Sequence, residues 1–434
     1  MTSNTRVVVI GAGLAGVRLA RRLGELGTPV TLIGEEEHRP YNRVLLAEVL
    51  AGRYSPDVIA LPAPAELTRG RVTGIDREVR AVHLADGSKI AYDTLVLATG
   101  SNPVLPPLRG LFREAYLASA RRGEQPTGSS GRESGDCPPE RHSTPDHVLP
   151  EGVHAFRTMD DCLGLSKAVR PGVRAVVIGG GLLGVSAARA LALRGAQVVL
   201  AQQSERLMER QLDPAASKLV RRHLTDLGVE VHTECRVRDV RCVGGAVRSV
   251  EMHDGYALDA DLVVLACGVH PRVGLAQTAG LEVRKGVLVD DELRTSDPRV
   301  RAIGDCAQHD GTVYGLATPA LEQAEVLAEL LAGRADARYT GTRSLTRLTL
   351  AGEGFFDLAA FGETEPRPGD DVVQLADATR GTYRKVVVRD DRLVGGVLVG
   401  ELGTVGALAR AWEGAEPLPD DGPLLHLLTN DGGS

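Results

Sequence analysis

The chain has few aromatics, few lysines and no paired cysteines. Among 434 residues there are one Trp, eight Tyr and five Phe, and only five of the 50 basic residues are Lys. The lysine shortage reads as coding bias and carries no function. Six cysteines are present (Cys137, Cys162, Cys235, Cys242, Cys267 and Cys306), yet none stands in a C-x-x-C or C-x4-C pair. That spacing excludes a zinc knuckle, an iron–sulfur cluster and a redox-active disulfide of the usual spelling. The start, MTSNTRVVVIGAGLAG, has no charged leader region and no small-residue cleavage site, and Val7–Ile10 is too short for a signal core. No stretch reaches the about 18 uninterrupted apolar residues of a membrane helix. No membrane role is expected, and the scattered thiols suit a reducing cytoplasm. Positive charge is not in excess either. A net charge of −7 argues against a nucleic-acid partner. Eleven His are scattered, and His38, His142, His147 and His154 share no metal-ligand spacing with carboxylates, so no metal site is expected.

Apolar residues make up 43% of the chain, so wholesale disorder is excluded and cores can form. At about 150 residues per domain, the length suggests three domains. Glycine is the one excess: 51 residues, well above the ordinary share of about 7%. The positions of these glycines carry the message.

From Arg6 the pattern reads strand (Arg6–Ile10), glycine turn (Gly11–Gly16), helix to about Gly24, strand (Val30–Ile33). The cadence returns as Arg174–Ile178, Gly179–Gly184, a helix to about Arg194 and Gln197–Leu200. Two copies of one unit predict two dinucleotide-binding domains. In G-x-G-x-x-G, the first glycine permits the tight turn. The second lets backbone approach a pyrophosphate, and the third lets helix and strand pack closely. These are Gly11, Gly13 and Gly16 in the first copy, and Gly179, Gly181 and Gly184 in the second. The helix N-terminus behind each turn offers N–H groups to phosphate oxygens. Glu35 follows the second strand of the first copy, where a carboxylate can accept from ribose hydroxyls. The matching residue of the second copy is Gln202, which neither repels nor pairs with a 2′-phosphate, so NADH and NADPH both stay open. Arg206 stands nearby and reads best as a solvated charge.

Each copy is followed by an apolar strand ending in small residues, Thr94–Gly100 and Leu262–Gly268, as expected of buried parallel strands. A third motif, Val300-Arg-Ala-Ile-Gly-Asp-Cys306, puts Asp305 after a strand-end glycine, where it suits a sugar-like polyol or a helix N-cap. Thr318–Gln323 reads as a further helix start whose N–H groups can face negative charge. Cys306 stands alone and reads as a small buried residue. Residues 113–150 are polar and aperiodic and read as a disordered insertion. Beyond about Arg338, strands are expected at Leu345–Leu350, Val372–Leu375, Tyr383–Val388 and Leu393–Val399. A helix is expected near Val405–Trp412, with Trp412 packed inside this small α+β domain.

The order G-x-G-x-x-G, A-T-G, G-x-G-x-x-G, A-x-G, G-D resembles the two-dinucleotide-domain flavoprotein family of pyridine nucleotide–disulfide, rubredoxin and ferredoxin reductases. Within it, Arg39–Gly52, Phe156-Arg-Thr158 and Leu207–Asp213 look most like the flavin reductase portion of NADH-dependent nitrite reductase large subunits. The resemblance implies an α/β fold with two Rossmann-like domains, glutathione-reductase-like, plus a small C-terminal α+β domain. It divides the chain into residues 1–112 (FAD domain, first part), 113–150 (insertion), 151–275 (NAD(P) domain), 276–337 (FAD domain, second part) and 338–434 (interface-like domain). It also implies that Gly11, Gly13, Gly16, Glu35, Arg43, Thr99, Gly100, Asp305 and Glu322 hold FAD. Gly179, Gly181, Gly184, Gln202 and Gly268 would face NADH or NADPH. Three positions depart from the family pattern: Ser186 where members carry Glu, Cys267 where Thr is common, and Gln202.

The segment Tyr41–Gly52 has no cysteine, so no thiolate can pair with a flavin there, and disulfide reductase or cysteine-dependent oxidase chemistry is disfavoured. The four cysteines of a sirohaem and iron–sulfur domain are missing too. The implied activity is therefore FAD-dependent NAD(P)H oxidation with electrons passed to a separate acceptor, such as a nitrite reductase or another iron–sulfur protein. The catalytic group would be the flavin itself. A homodimer is compatible with the reading. A rival reading is an FAD/NAD-binding redox sensor with slow turnover.

Overall fold

The computed structural model describes residues 6–62, 67–111, 149–334, 336–343, 345–350, 356–377, 379–400, 402–414 and 428. Residues 113–148 of the polar insertion lie outside the described residues.

Two parallel sheets form the frame, and they repeat one order. In the first, Val300–Ala302, Thr94–Leu97, Val7–Ile10, Val30–Gly34 and Leu67–Arg69 lie side by side. In the second the order is Val153–Ala155, Leu262–Leu265, Arg174–Ile178, Gln197–Ala201 and Glu230–His232, again all parallel. The central strands are covered on both faces, which is why they read as unbroken apolar runs; Val7, Val8, Val9 and Ile10 are all buried. Only the outermost strand differs in origin. In the second sheet it precedes the glycine turn in the chain, whereas in the first it comes from residues 300–302, after the whole second sheet.

The helix Leu14–Glu25 lays Val17, Leu19, Ala20 and Leu23 against the first sheet and the helix Ala317–Leu331. Positions 16, 19, 20 and 23 recur at the spacing of one helical face. Burying a Leu of this kind contributes about 1.5–3 kcal/mol. Helix Leu182–Leu193 is buried more completely, because the second sheet and the helices Leu46–Leu50 and Pro214–Asp226 enclose it.

The chain inserts a three-stranded antiparallel sheet between Leu67–Arg69 and Thr94–Leu97 of the first sheet and between Glu230–His232 and Leu262–Leu265 of the second: Val72–Asp76, Ala81–Leu84, Lys89–Ala91 in one copy and Val237–Val243, Ala246–Met252, Ala257–Asp259 in the other. The two halves are laced by a short antiparallel pair, Ser101–Pro103 with Val269–Pro271. These segments leave the carboxyl ends of the two sheets, where ligands bind in open α/β folds.

The last domain is a five-stranded antiparallel sheet in the order Leu345–Leu350, Phe356–Gly362, Arg392–Val399, Thr382–Arg389, Asp371–Asp377. Alternation splits its residues between two cores. Leu358, Ala360, Tyr383, Val397 and Val399 face the second dinucleotide domain, while Phe361, Val386, Val388 and Leu398 face the helix Val405–Gly414. Trp412 packs on Phe361 with ring centroids 5.2 Å apart.

Candidate active site

The two glycine turns have the same geometry. Gly11 has φ +115°, and a Cβ there would stand 2.1 Å from the Ala98 carbonyl oxygen; a Cβ on Gly16 would stand 1.9 Å from that of Gly11. In the second turn Gly179 has φ +108°, with the Ala266 oxygen 2.4 Å from a would-be Cβ, and Gly184 meets the Gly179 oxygen at 1.7 Å. These four glycines are required by the protein's own backbone. Gly13 and Gly181 are different: a Cβ on either meets nothing within 4 Å. Each borders open space at the N-cap of its helix, and neither helix has a side-chain cap or an acidic residue in its first turn. The first-turn N–H groups are thus left for an anion, which the helix dipole also favours.

That open space is one cavity of about 1380 Å³, lined from Gly13 at one turn to Gly181 at the other. A single small-ligand pocket spans roughly 300–1,000 Å³, so this cavity suits two extended ligands meeting in the middle. Arg43, Gly100, Gly179, Gln202, Gly268 and Asp305 lie on its wall. Gly11, Gly16 and Gly184 stand behind the wall and shape it. Three other expected residues are set back, with partners of their own. Glu35 accepts from the Arg272 guanidinium, with Nη2 at 3.0 Å. Burial alone would raise the Glu35 carboxyl, but the Arg272 hydrogen bond and charge win and hold it below its ordinary value. The Thr99 hydroxyl donates to the Arg272 carbonyl at 2.8 Å. Glu322 accepts from the Thr342 hydroxyl, although the start of its helix, Ala317, Thr318 and Ala320, does line the cavity.

Asp305 sits on a one-turn 3-10 segment, Gly304–Cys306, rather than capping the later helix. Its Oδ2 accepts from Ser101 Oγ at 2.8 Å and from Arg157 Nη2 at 2.7 Å, and Arg157 also donates to Ser101 Oγ at 2.6 Å. The Arg157 carbonyl in turn accepts from Arg43 Nη1 at 3.1 Å. Arg157 lines the cavity, and its buried Nε has no acceptor among the described residues. Sequence reasoning assigned no role to Arg157 or Ser101. The signal was faint: Arg157 lies between buried Phe156 and Thr158, the N-cap of Met159–Ala168. Only the fold brings residue 157 to residue 305.

The thiols on and near the wall are kept protonated. Burial pushes Cys267 up to about 11, and its Sγ–H donates to the Ile178 carbonyl at 3.5 Å. Cys306 is wholly buried, is likewise pushed up by burial, and donates to the Leu97 and Ile303 carbonyls. Among the described residues no group of His, Cys, Asp and Glu could hold a metal ion. None of their helices is long and apolar enough to cross a membrane.

Paired glycine turns, uncapped helix starts, a shared cavity and an unpartnered guanidinium nitrogen together fit FAD and a nicotinamide nucleotide; the class is an FAD-dependent pyridine nucleotide oxidoreductase. Residues 5–324 match the model of the pyridine nucleotide-disulphide oxidoreductase family, and residues 346–413 match the rubredoxin NAD⁺ reductase C-terminal domain. The chain belongs to the pyridine nucleotide-disulphide oxidoreductase family. It is 31% identical over 409 residues to the assimilatory nitrate reductase electron transfer subunit of Bacillus subtilis, covering 91% of this chain and 48% of that protein. It is 34% identical over 416 residues to the nitrite reductase [NAD(P)H] large subunit of Klebsiella oxytoca, covering 93% and 39%. The chain therefore spans less than half the length of these relatives. Among solved structures, a ferredoxin reductase from Rhodopseudomonas palustris superposes with a TM-score of 0.74 at 28% identity, covering 91% of each chain.

Proposed function

We propose that this chain takes electrons from NADH or NADPH through FAD and passes them to a separate acceptor, a nitrite reductase or another iron–sulfur protein, in the cytoplasm. The observation that carries the reading is the single cavity joining Gly13 to Gly181 beside a cysteine-free Asn42–Ala47 wall. Both nucleotides would find a phosphate cradle there, and no cysteine stands in a C-x-x-C or C-x4-C pair to take the electrons. FAD, when bound, supplies two-electron acceptance from the nicotinamide and onward release.

The protein's own part is binding, orientation and exclusion. Gly13 and the helix start behind it would receive the FAD pyrophosphate, and Gly181 that of the nicotinamide nucleotide. Asp305, fixed by Ser101 and Arg157, would accept from the ribityl hydroxyls, and the unpartnered Arg157 Nε would donate to the same ligand. Leu46, Ala47, Phe156, Leu182 and Leu183 line the stretch between the turns and keep water from the meeting point. Glu35, anchored by Arg272, would accept from the adenosine ribose at the far end. Residues 276–337 would complete the FAD domain, and 338–434 would form the domain that faces the partner. Relatives named as an electron transfer subunit and a nitrite reductase support the acceptor class.

The test is anaerobic stopped-flow on FAD-reconstituted protein. Bleaching of the flavin by NADH or NADPH within seconds, with rapid recovery on adding a ferredoxin-type protein, is expected. Bleaching over minutes would favour a slow-turnover sensor instead. Failure to bind FAD would end the proposal.

A further inference from the structure

The nucleotide end of the second turn lacks a carboxylate, and the structure shows what stands there instead. Gln202 follows the strand Gln197–Ala201, and its Oε1 accepts from the Gly180 N–H at 2.7 Å. The side chain is folded onto the glycine turn and brings no negative charge there. The backbone here is tied to the next crossover. Gln202 N donates to the His232 carbonyl at 2.8 Å, and Cys235 N donates to the Gln202 carbonyl at 2.9 Å. Arg236 is the next residue, its carbonyl accepting from His253 N at 2.8 Å. Gln202, Ser204, Arg236 and His253 therefore form one section of the cavity wall.

Arg206 and Arg238, the arginines nearest Gln202 and Arg236 in sequence, are engaged, whereas Arg210, farther along the same wall, forms no ion pair among the described residues. Arg206, the charge the sequence places nearest, pairs with Glu365 of the last domain. Arg238 pairs with the buried Glu251, which it shares with Arg241. Arg236 is exposed to the cavity and forms no ion pair among the described residues. The carboxylates on the cavity wall are Glu209 and Asp305, and Asp305 is satisfied by Arg157 at the opposite end. This corner thus has an uncommitted guanidinium, a hydroxyl, an imidazole and an amide in place of an acid. A dianionic phosphate ester suits such a corner; a bare ribose diol suits the missing carboxylate.

We propose that Arg236, with Gln202 and Ser204 beside it, forms a 2′-phosphate site, and that the chain uses NADPH in preference to NADH. The inference rests on the reading that the Gly179–Gly184 turn holds a nicotinamide nucleotide.

Calorimetric titration of the FAD-loaded full chain with NADP⁺ and with NAD⁺ tests it without turnover. NADP⁺ is expected to bind more tightly by about tenfold or more, the size of one or two charge-assisted hydrogen bonds, and to lose that advantage as salt is raised. Arg236→Ala should remove the preference while leaving NAD⁺ affinity within about twofold, and Gln202→Glu should reverse it. Arg206→Ala should do neither. Tighter binding of NAD⁺ by the unaltered protein, or an Arg236→Ala change that weakens both nucleotides equally, overturns the 2′-phosphate site and leaves the reductase reading intact. Binding of neither nucleotide, with no flavin bleaching, removes both.

Discussion

A buried charge cluster joins the last domain to the second dinucleotide domain, and its disruption has a calculable consequence. Asp213, the N-cap of helix Pro214–Asp226, accepts from Ala216 N at 3.0 Å through Oδ1. Its Oδ2 accepts from Tyr383 Oη at 2.6 Å and from Lys385 Nζ at 2.9 Å, both from the strand Thr382–Arg389. Asp213 is 2% exposed, Tyr383 2% and Lys385 7%, so water screens nothing here. Burial, reinforced by the Asp213 hydrogen bond, pushes the Tyr383 phenol well above its ordinary range, so it stays a donor at any working pH. Lys385→Met removes the one positive charge facing the Asp213 carboxylate in this cluster. Breaking one side of a buried pair costs about 3–5 kcal/mol, whereas replacing both partners is often close to neutral. At a urea m-value of about 1–3 kcal/mol/M, the single change should lower the unfolding midpoint of the last domain by about 1–5 M. Trp412 is the chain's only Trp and lies in this domain, so its fluorescence reports the transition selectively. Asp213→Asn/Lys385→Met should recover a large part of the loss. Additive single-variant losses, or a Lys385→Met midpoint within about 0.3 M of the unaltered protein, would refute the argument, because a coupling term of about 0.5–3 kcal/mol is required of groups in one network.

Four further outcomes follow from the site. Gly13→Ala should leave the melting temperature of the flavin-free chain unchanged, since its Cβ meets nothing within 4 Å, yet abolish the yellow flavin absorbance on reconstitution. Gly184→Ala, whose Cβ would stand 1.7 Å from the Gly179 oxygen, should destabilise the second turn and weaken nucleotide binding while flavin binding persists, read by calorimetry and absorbance together. Arg157→Met should weaken FAD by about tenfold to a hundredfold, the loss of charge-assisted bonds worth about 1.5–3 kcal/mol, and equilibrium dialysis measures it. The Cys267 thiol gives a pH signature. Its value rises from about 8.5 in the unfolded chain to about 11 in the fold, so the fold favours the protonated form. That contribution is full below the unfolded value and is lost as pH climbs through the folded one. Denaturation between about pH 8.5 and 11 should show a steeper decline for the unaltered protein than for Cys267→Ala.

The parallel strands and their glycine turns were legible because burial on both faces writes itself as an apolar run, and a tight turn needs glycine wherever a Cβ would strike a carbonyl. The strand Arg174–Ile178 and the helix starting at Val405 fall where the sequence puts them. The strand Phe356–Gly362 was not legible. It is an interior strand of its sheet with both faces covered, so Phe-Asp-Leu-Ala-Ala-Phe-Gly has no polar alternation to announce it. The two antiparallel inserts were missed for a different reason. Their strands mix exposed Arg, Asp and Thr with single buried Val residues, and only their pairing across short turns makes them sheets. Arg157 illustrates the limit for function: its partners are Ser101 and Asp305, and no local pattern encodes a contact spanning 148 residues.

The three positions that depart from the family pattern share a physical property visible only in the fold. The Ser186 hydroxyl donates to the Leu182 carbonyl at 2.8 Å, the Cys267 thiol to the Ile178 carbonyl, and the Gln202 amide oxygen accepts from Gly180 N. All three satisfy their polar groups on the backbone of one short stretch, residues 178–182, which is the second glycine turn itself. These three side chains are therefore tied to the turn rather than to a ligand, the N–H groups of the uncapped helix start stay open, and none of the three offers a formal charge. The first turn is arranged otherwise: Asp305 and Arg157 stand on the cavity wall, and a buried Arg157 nitrogen still lacks an acceptor. An uncharged turn can still bind a pyrophosphate through the N–H groups behind Gly181, but those groups are the same for every dinucleotide. Discrimination at that end must then come from outside the motif, and Arg236, on the neighbouring crossover and without an ion pair, is placed to supply it.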